Sequence, residues 1–217
     1  SQEEDVRHSF SMSGVRIRLD DSQEDYDIVS RHVTLELGPI LGFGSGGCVY
    51  ALRDDPTRAV KFTEVYGPRF PRECGVGTAM HNLGVGPRVY QHFTLRARSV
   101  YDGRLVAVGV IIMERLSTTL FEACRRQPQL HAQLWPAICQ QIRKVAAAGY
   151  SLPDLHQRNV MLHQGRVYLI DFECVEYHTL DTPTIDHAVA AMCHNLQLTL
   201  TATPPSKRNK PPVPKYR

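Results

Sequence analysis

Asp154, Asn159 and Asp171 are the residues of this chain whose types and spacing suit them to chemistry. Asp154-Leu155-His156-Gln157-Arg158-Asn159 is followed, twelve positions after Asn159, by Asp171-Phe172-Glu173. Two carboxylates and an amide are donors that a hard divalent cation accepts, and such a cation neutralises the dense charge of a nucleoside triphosphate. In that chemistry Asn159 and Asp171 hold magnesium, while Asp154 accepts or steers the proton of an attacking hydroxyl. Taken singly, each residue is better explained by a capped turn or a strand end. The flanks favour the joint reading: Val160-Met161-Leu162 and Val167-Tyr168-Leu169-Ile170 read as short strands joined by His163-Gln164-Gly165-Arg166. The acidic groups then sit beside a β-hairpin.

More than a hundred residues upstream, Gly42-Phe43-Gly44-Ser45-Gly46-Gly47-Cys48-Val49 fits G-x-G-x-x-G-x-V. In such a loop missing side chains let backbone N–H groups approach phosphate oxygens. Glycine turns of this kind also occur in plain hairpins and in dinucleotide-binding folds, but the latter need a helix immediately afterwards. Here a strand follows. Val49-Tyr50-Ala51-Leu52, a charged turn at Arg53-Asp54-Asp55-Pro56, and Arg58-Ala59-Val60-Lys61-Phe62 form a predicted hairpin with Lys61 on its return strand.

Together these motifs resemble the protein kinase superfamily from about residue 38 to about residue 190. The resemblance implies an α+β, reduced bilobal fold: an N-terminal antiparallel sheet lobe over 32–116, including the hinge, and a truncated helical C-terminal lobe over 117–200. It implies ATP and Mg2+ as cofactors. The nucleotide site would comprise Gly42, Phe43, Gly44, Ser45, Gly46, Gly47, Val49, Ala59, Lys61, Glu73, Met113, Glu114 and Leu116, with Asn159 and Asp171 on the metal and Asp154, Lys61 and His156 catalytic. Lys61 would bind the α- and β-phosphates, held by Glu73 or, as the alternative, Glu64. Met113 would be the gatekeeper, a position that simple core filling also explains. The backbone of Glu114 to Leu116 would pair with adenine.

The intervening elements must position these groups. Thr118-Thr119-Leu120-Phe121-Glu122-Ala123-Cys124-Arg125-Arg126 predicts a short helix with a threonine cap. A longer helix carries Leu134, Ile138, Ile142 and Val145 on one face, with Pro136 in its first turn and Gly149 at its end. A third is expected over 185–193. There Asp186 either braces the catalytic loop, as a buried aspartate does in kinases, or is a plain N-terminal helix charge.

Composition fits one substantial core: 217 residues, 42% hydrophobic and 22% charged. No apolar run is long enough to cross a bilayer and no Sec-type signal is visible at Ser1-Gln2-Glu3-Glu4-Asp5, so no membrane span is expected. The six cysteines are scattered without a C-x-x-C pair over segments read as core strands and helices, which favours reduced thiols. Residues 1–31 hold eight acids and four arginines and read as a mobile acidic leader, with a possible strand over 15–19. Residues 201–217 carry five basic residues, no acid and five of the fourteen prolines, and read as an extended basic tail. No nucleic-acid partner is expected, and a monomer is.

Departures from the kinase pattern sharpen the expectation. Leu152-Pro153-Asp154 stands where His-Arg-Asp is usual, so the arginine that clasps a phosphorylated activation loop is missing. No Ala-Pro-Glu follows Asp171, and Glu173 replaces the glycine of Asp-Phe-Gly, which removes backbone freedom and adds a carboxylate near the metals. His156 stands where a lysine is usual and would donate to the γ-phosphate when charged. The pattern resembles the minimal kinases among bacterial type III effectors, of the OspG, NleH and HopBF types. That resemblance implies a constitutively active protein serine/threonine kinase, secreted into a host cell cytosol or otherwise cytoplasmic. Its substrate would be a host protein, with a heat-shock chaperone of the ninety-kilodalton class as the HopBF precedent. Two alternatives stand beside it: a small-molecule kinase of the choline or aminoglycoside type, and a pseudokinase binding module without catalysis.

Overall fold

The computed structural model describes residues 16–17, 35–44, 47–65, 67–98 and 105–201. Most of the leader, Ser45, Gly46 and the tail beyond 201 lie outside the described residues. The protein is a mixed α+β chain of two compact units. The first holds the described residues up to Phe70 and Val89–Arg115; the second holds Pro71–Arg88 and the chain from Leu116 onward. Residues 71–88 thus belong with the second unit, whereas the sequence reading runs its first lobe unbroken from 32 to 116.

The first unit is an antiparallel sheet. Its strands are β1 (Arg16–Ile17), β2 (Leu35–Gly44), β3 (Gly47–Leu52), β4 (Arg58–Glu64), β5 (Val89–Arg98) and β6 (Leu105–Glu114), in the order β1-β2-β3-β4-β6-β5. The sequence alternates as a pleat requires. Val60 and Phe62 of β4, Val108, Val110 and Ile112 of β6, and Phe93 and Leu95 of β5 form one buried face with Leu35 and Leu37. The opposite face carries Ala59 and Lys61. Asp55 fixes the β3–β4 turn by accepting from the Thr57 N–H and hydroxyl. These bonds lower its carboxyl pKa below the ordinary range. β5 is a full partner of β6, and the sequence reading had not assigned it.

The second unit packs helices around a small hairpin. It contains most of α1 (Arg69–Asn82), then β7 (Thr118–Thr119), α2 (Leu120–Arg126), α3 (Leu130–Ala147), β8 (Tyr150–Ser151), β9 (Val160–His163), β10 (Arg166–Leu169), β11 (Glu176–Tyr177) and α4 (Thr182–Thr201). Ile138, Ile142 and Val145 of α3 are fully buried with Leu169, Met192 and Leu196. Each such side chain contributes about 1.5–3 kcal/mol through burial. The β9–β10 hairpin closes through Gln164 and Gly165, both at positive φ.

Helix ends account for the corrections to the sequence reading. α2 starts where expected, its cap Thr119 accepting from the Glu122 N–H at 3.1 Å. α3 starts at Leu130, so Pro136 is an interior residue and not part of the first turn. Gln129, at its cap, makes no side-chain capping bond, so the start carries no sequence signal. α4 starts at Thr182, capped by Asp181, which accepts from the Thr184 N–H at 3.0 Å. Not every cysteine lies in a core element: Cys174 is exposed outside any strand or helix. All six cysteines are free thiols, with Cys139 and Cys193 bringing their Sγ atoms to 4.0 Å between α3 and α4.

Candidate active site

In the first unit, pairing register gathers the expected nucleotide residues. Val49 of β3 lies opposite Lys61 of β4, Lys61 opposite Ile111 of β6, and Ala59 opposite Met113. Directly paired residues share a face, and positions two apart on one strand do too, so Val49, Ala59, Lys61 and Met113 stand on one side of the sheet. Lys61 is only 8% exposed. Burying a lysine is costly unless its charge is compensated. Gly47 opens β3 at φ 118°, and a Cβ there would lie 2.0 Å from the Phe62 carbonyl oxygen. Only glycine permits that junction. At Gly42 a Cβ meets nothing within 4 Å.

The proposed hinge is partly committed within this unit. Glu114 pairs with Arg58 in the ladder, and the Arg115 N–H donates to the Thr57 oxygen at 2.8 Å. That donor is therefore not available to an adenine. Leu116 is buried and opens the second unit. Glu73 is buried on α1 within the second unit, and Glu64 ends β4 in the first.

In the second unit, Leu152, Asp154, Leu155, Asn159, Ile170, Asp171 and Cys174 line one small cleft. The three polar residues singled out by spacing are thus brought together. Leu152 and Leu155 anchor the loop in the core, and between them Asp154 is pushed outward, its side chain 65% exposed. Asn159 is buried and held on three sides. Its N–H donates to the His156 oxygen at 2.8 Å, its carbonyl accepts from the Ile170 N–H at 3.0 Å, and its Nδ2 donates to the Asp154 carbonyl at 3.2 Å. A carbonyl can pair only with the NH2 side of the amide. Asn159 Oδ1 is accordingly the atom left for a cation.

Asp171 follows β10 with φ 66°, a left-handed conformation that asparagine and aspartate tolerate best and other side chains rarely adopt. Backbone strain of this kind concentrates at functional sites. Its neighbours are anchored: the Leu169 N–H donates to the Val85 oxygen at 3.0 Å, and buried Phe172 packs against Gly86. Gln141 of α3 adds bonds from Nε2 to the Val167 oxygen at 2.8 Å and to the Gly84 oxygen at 3.2 Å.

His156 stands beside Asp154, with Nε2 3.9 Å from Oδ2. Its Nδ1 faces the Arg158 N–H at 3.2 Å and so accepts. The neutral ring then carries its proton on Nε2, toward the Asp154 carboxylate. Glu173, expected to add a carboxylate near the metal ligands, does not line the cleft; Cys174 does.

Asp186 is exposed, so it is not a buried brace for the loop. The other half of α4 performs that task. Met192 Sδ faces the Leu152 N–H at 3.4 Å, Asn195 Nδ2 donates to the Pro153 oxygen at 3.3 Å, and Thr199 makes two bonds with Gln157. Sequence reasoning passed over Gln157, Asn195 and Thr199. The only signal was their spacing on α4, where 192, 195 and 199 fall on one helical face.

Magnesium takes one or two protein carboxylate or amide oxygens and completes its shell with water and phosphate. The donor set of Asp171 and Asn159 Oδ1 fits that habit. Among the described residues no group of three or more His, Cys, Asp or Glu side chains converges as an all-protein metal cage would need. No described helix is long and apolar enough to cross a membrane. Compared with known proteins, the chain matches no family model and no curated sequence.

Proposed function

We propose that the protein is an ATP- and magnesium-dependent phosphotransferase of the protein-kinase type, its two units corresponding to the lobes of a reduced kinase. The observation that carries this reading is the cleft where Asp154, Asn159 and strained Asp171 converge, with the Asn159 amide turned by its own hydrogen bond so that Oδ1 is free to ligate. Buried Lys61 on the same sheet face as Val49, Ala59 and Met113 supports it independently.

ATP with magnesium, when bound, supplies the phosphoryl group and neutralises its charge. The chain's own groups do the rest. Asp171 and Asn159 Oδ1 would hold the cation, and Lys61 would bind phosphate oxygens. The Asp154 carboxylate would accept or orient the hydroxyl proton. The acceptor is a hydroxyl on a protein. Sites for small molecules enclose most of the ligand, whereas the Asp154 side chain is 65% exposed. A host protein substrate, delivery into a host cell and the chaperone precedent follow from the effector resemblance and stand as part of this proposal.

The test is transfer from γ-labelled ATP with magnesium, offered a eukaryotic lysate and, separately, a panel of amino alcohols. Label in protein bands that vanishes with Asp171→Ala and with Lys61→Ala is the expected result. Label on amino alcohols alone would overturn the protein-kinase reading. Magnesium–ATP binding without turnover would make the chain a binding module.

A further inference from the structure

We propose that Gln157 is a positioning residue: it sets the geometry of the Asp154–Asn159 loop by bridging the first turn of α2 and the last turn of α4. The inference rests on the phosphotransferase reading. Helix ends leave backbone groups without intrahelical partners, and Gln157 serves two such ends at once. Its carbonyl accepts from the Phe121 N–H at 3.1 Å, in the first turn of α2, where the Thr119 cap is already used by Glu122. Its Nε2 donates at 2.8 Å to the carbonyl of Thr199, in the last turn of α4.

The third bond closes the bridge. The Gln157 N–H donates to Thr199 Oγ1 at 3.2 Å, and the same hydroxyl donates to the Leu196 oxygen at 2.8 Å, so its direction is fixed. Backbone and side chain of Gln157 are thus both determined by α4. Arg158 adds a contact of the same sense, its guanidinium 3.7 Å from the centre of the Phe121 ring.

Position gives these bonds their consequence. Gln157 lies three residues after Asp154 and two before Asn159, and the bond from Asn159 Nδ2 to the Asp154 carbonyl closes the loop from the other side. A shift at Gln157 therefore changes the separation of the proton acceptor from the metal ligand. Gln157 is only half-buried, but Phe121, whose N–H it receives, is buried, so the bridge also serves the fold and the test must read kinetics beside exchange.

Two substitutions isolate the bridge. Thr199→Val keeps the side-chain shape and removes the hydroxyl, while Thr199→Ser keeps the hydroxyl. Gln157→Glu keeps the shape but sets a carboxylate against a carbonyl at the negative end of a helix. The measurements are kcat and KM for ATP with magnesium, and amide hydrogen exchange at Phe121, Gln157 and Asn159. For Thr199→Val and Gln157→Glu we expect kcat to fall by about ten- to a hundredfold with KM within about twofold, the pattern of a misplaced catalytic group. Exchange at Phe121 and Gln157 should quicken, and Thr199→Ser should retain wild-type behaviour in both. Equal behaviour of Thr199→Val and Thr199→Ser, or unchanged exchange in Gln157→Glu, overturns the bridge. A wild-type protein that transfers no phosphate overturns the phosphotransferase reading instead, and exchange then decides on the bridge alone.

Discussion

The two units hold their candidate residues by different means. In the first, Lys61, Val49, Ala59 and Met113 are placed by strand register, through backbone ladders that any side chain could share. In the second, Asp154 and Asn159 lie on a loop fixed by individual bonds from Asn195, Phe121 and the Asn159 amide and by bonds from Gln157 to Thr199. Register is collective: one substitution rarely moves it. A loop held by single bonds can be shifted by one hydroxyl. The placement of these residues should therefore be sensitive in the first unit at its glycine junction rather than along the exposed ladder, and in the second at many polar positions.

The largest expected effect is at that junction. Gly47→Ala drives a Cβ to 2.0 Å from the Phe62 carbonyl oxygen at φ 118°, and should cost more than about 3 kcal/mol in denaturant unfolding. Gly42→Ala, with open space around it, should stay within about 0.5 kcal/mol. Equal costs at the two glycines would erase the distinction between junction and ladder. Next is Gly86→Ala in the second unit, where a Cβ would come within 3.1 Å of both the Met80 Cβ and the Phe172 ring. Such overpacking costs about 1–3 kcal/mol, and a displaced Phe172 should lower transfer along with the midpoint of unfolding. Thr119→Ala removes the α2 cap and should cost about 1 kcal/mol by the same measurement, with Thr119→Ser retaining most of it.

The smallest effect appears only in acid. Bonds from the Thr179 and Thr184 hydroxyls and from the Thr184 N–H hold the Asp181 carboxyl down to about 2. A carboxyl depressed in the folded state stabilises above its unfolded value of about 3.9 and loses that contribution as pH falls toward 2. Asp181→Asn keeps a capping oxygen but does not titrate, so the acid arm of an unfolding profile between about pH 4 and 2 should flatten. An unchanged acid arm would remove Asp181 as a source of that dependence.

Legibility in the sequence follows the same division. The β3–β4 hairpin and the placement of Lys61 were readable because alternation and a turn at Asp55 are local signals. So was the α2 start, through Thr119. The cleft trio was readable from spacing, since Asp154, Asn159 and Asp171 flank one hairpin. The start of α4 was missed although Asp181 and Pro183 are a cap and a first-turn proline; the start of α3 was missed because Gln129 offers no cap. The bracing by Asn195 and Thr199 left only a shared helical face on α4, a signal that names no partner. Bonds between positions 42 residues apart, as from Gln157 to Thr199, leave no periodic trace, and the expectation of a charged brace pointed to Asp186, which faces solvent.

The neighbouring thiols of Cys139 and Cys193 join α3 to the helix that supports the loop. Burial, with the adjacent Cys139 adding to it, pushes the Cys193 thiol up to about 11. At neutral pH that position then carries far less nucleophilic thiolate than a free cysteine does. The Cys193 sulfur is thereby kept chemically quiet, and it should react with mild alkylating reagents more slowly than an ordinary exposed cysteine.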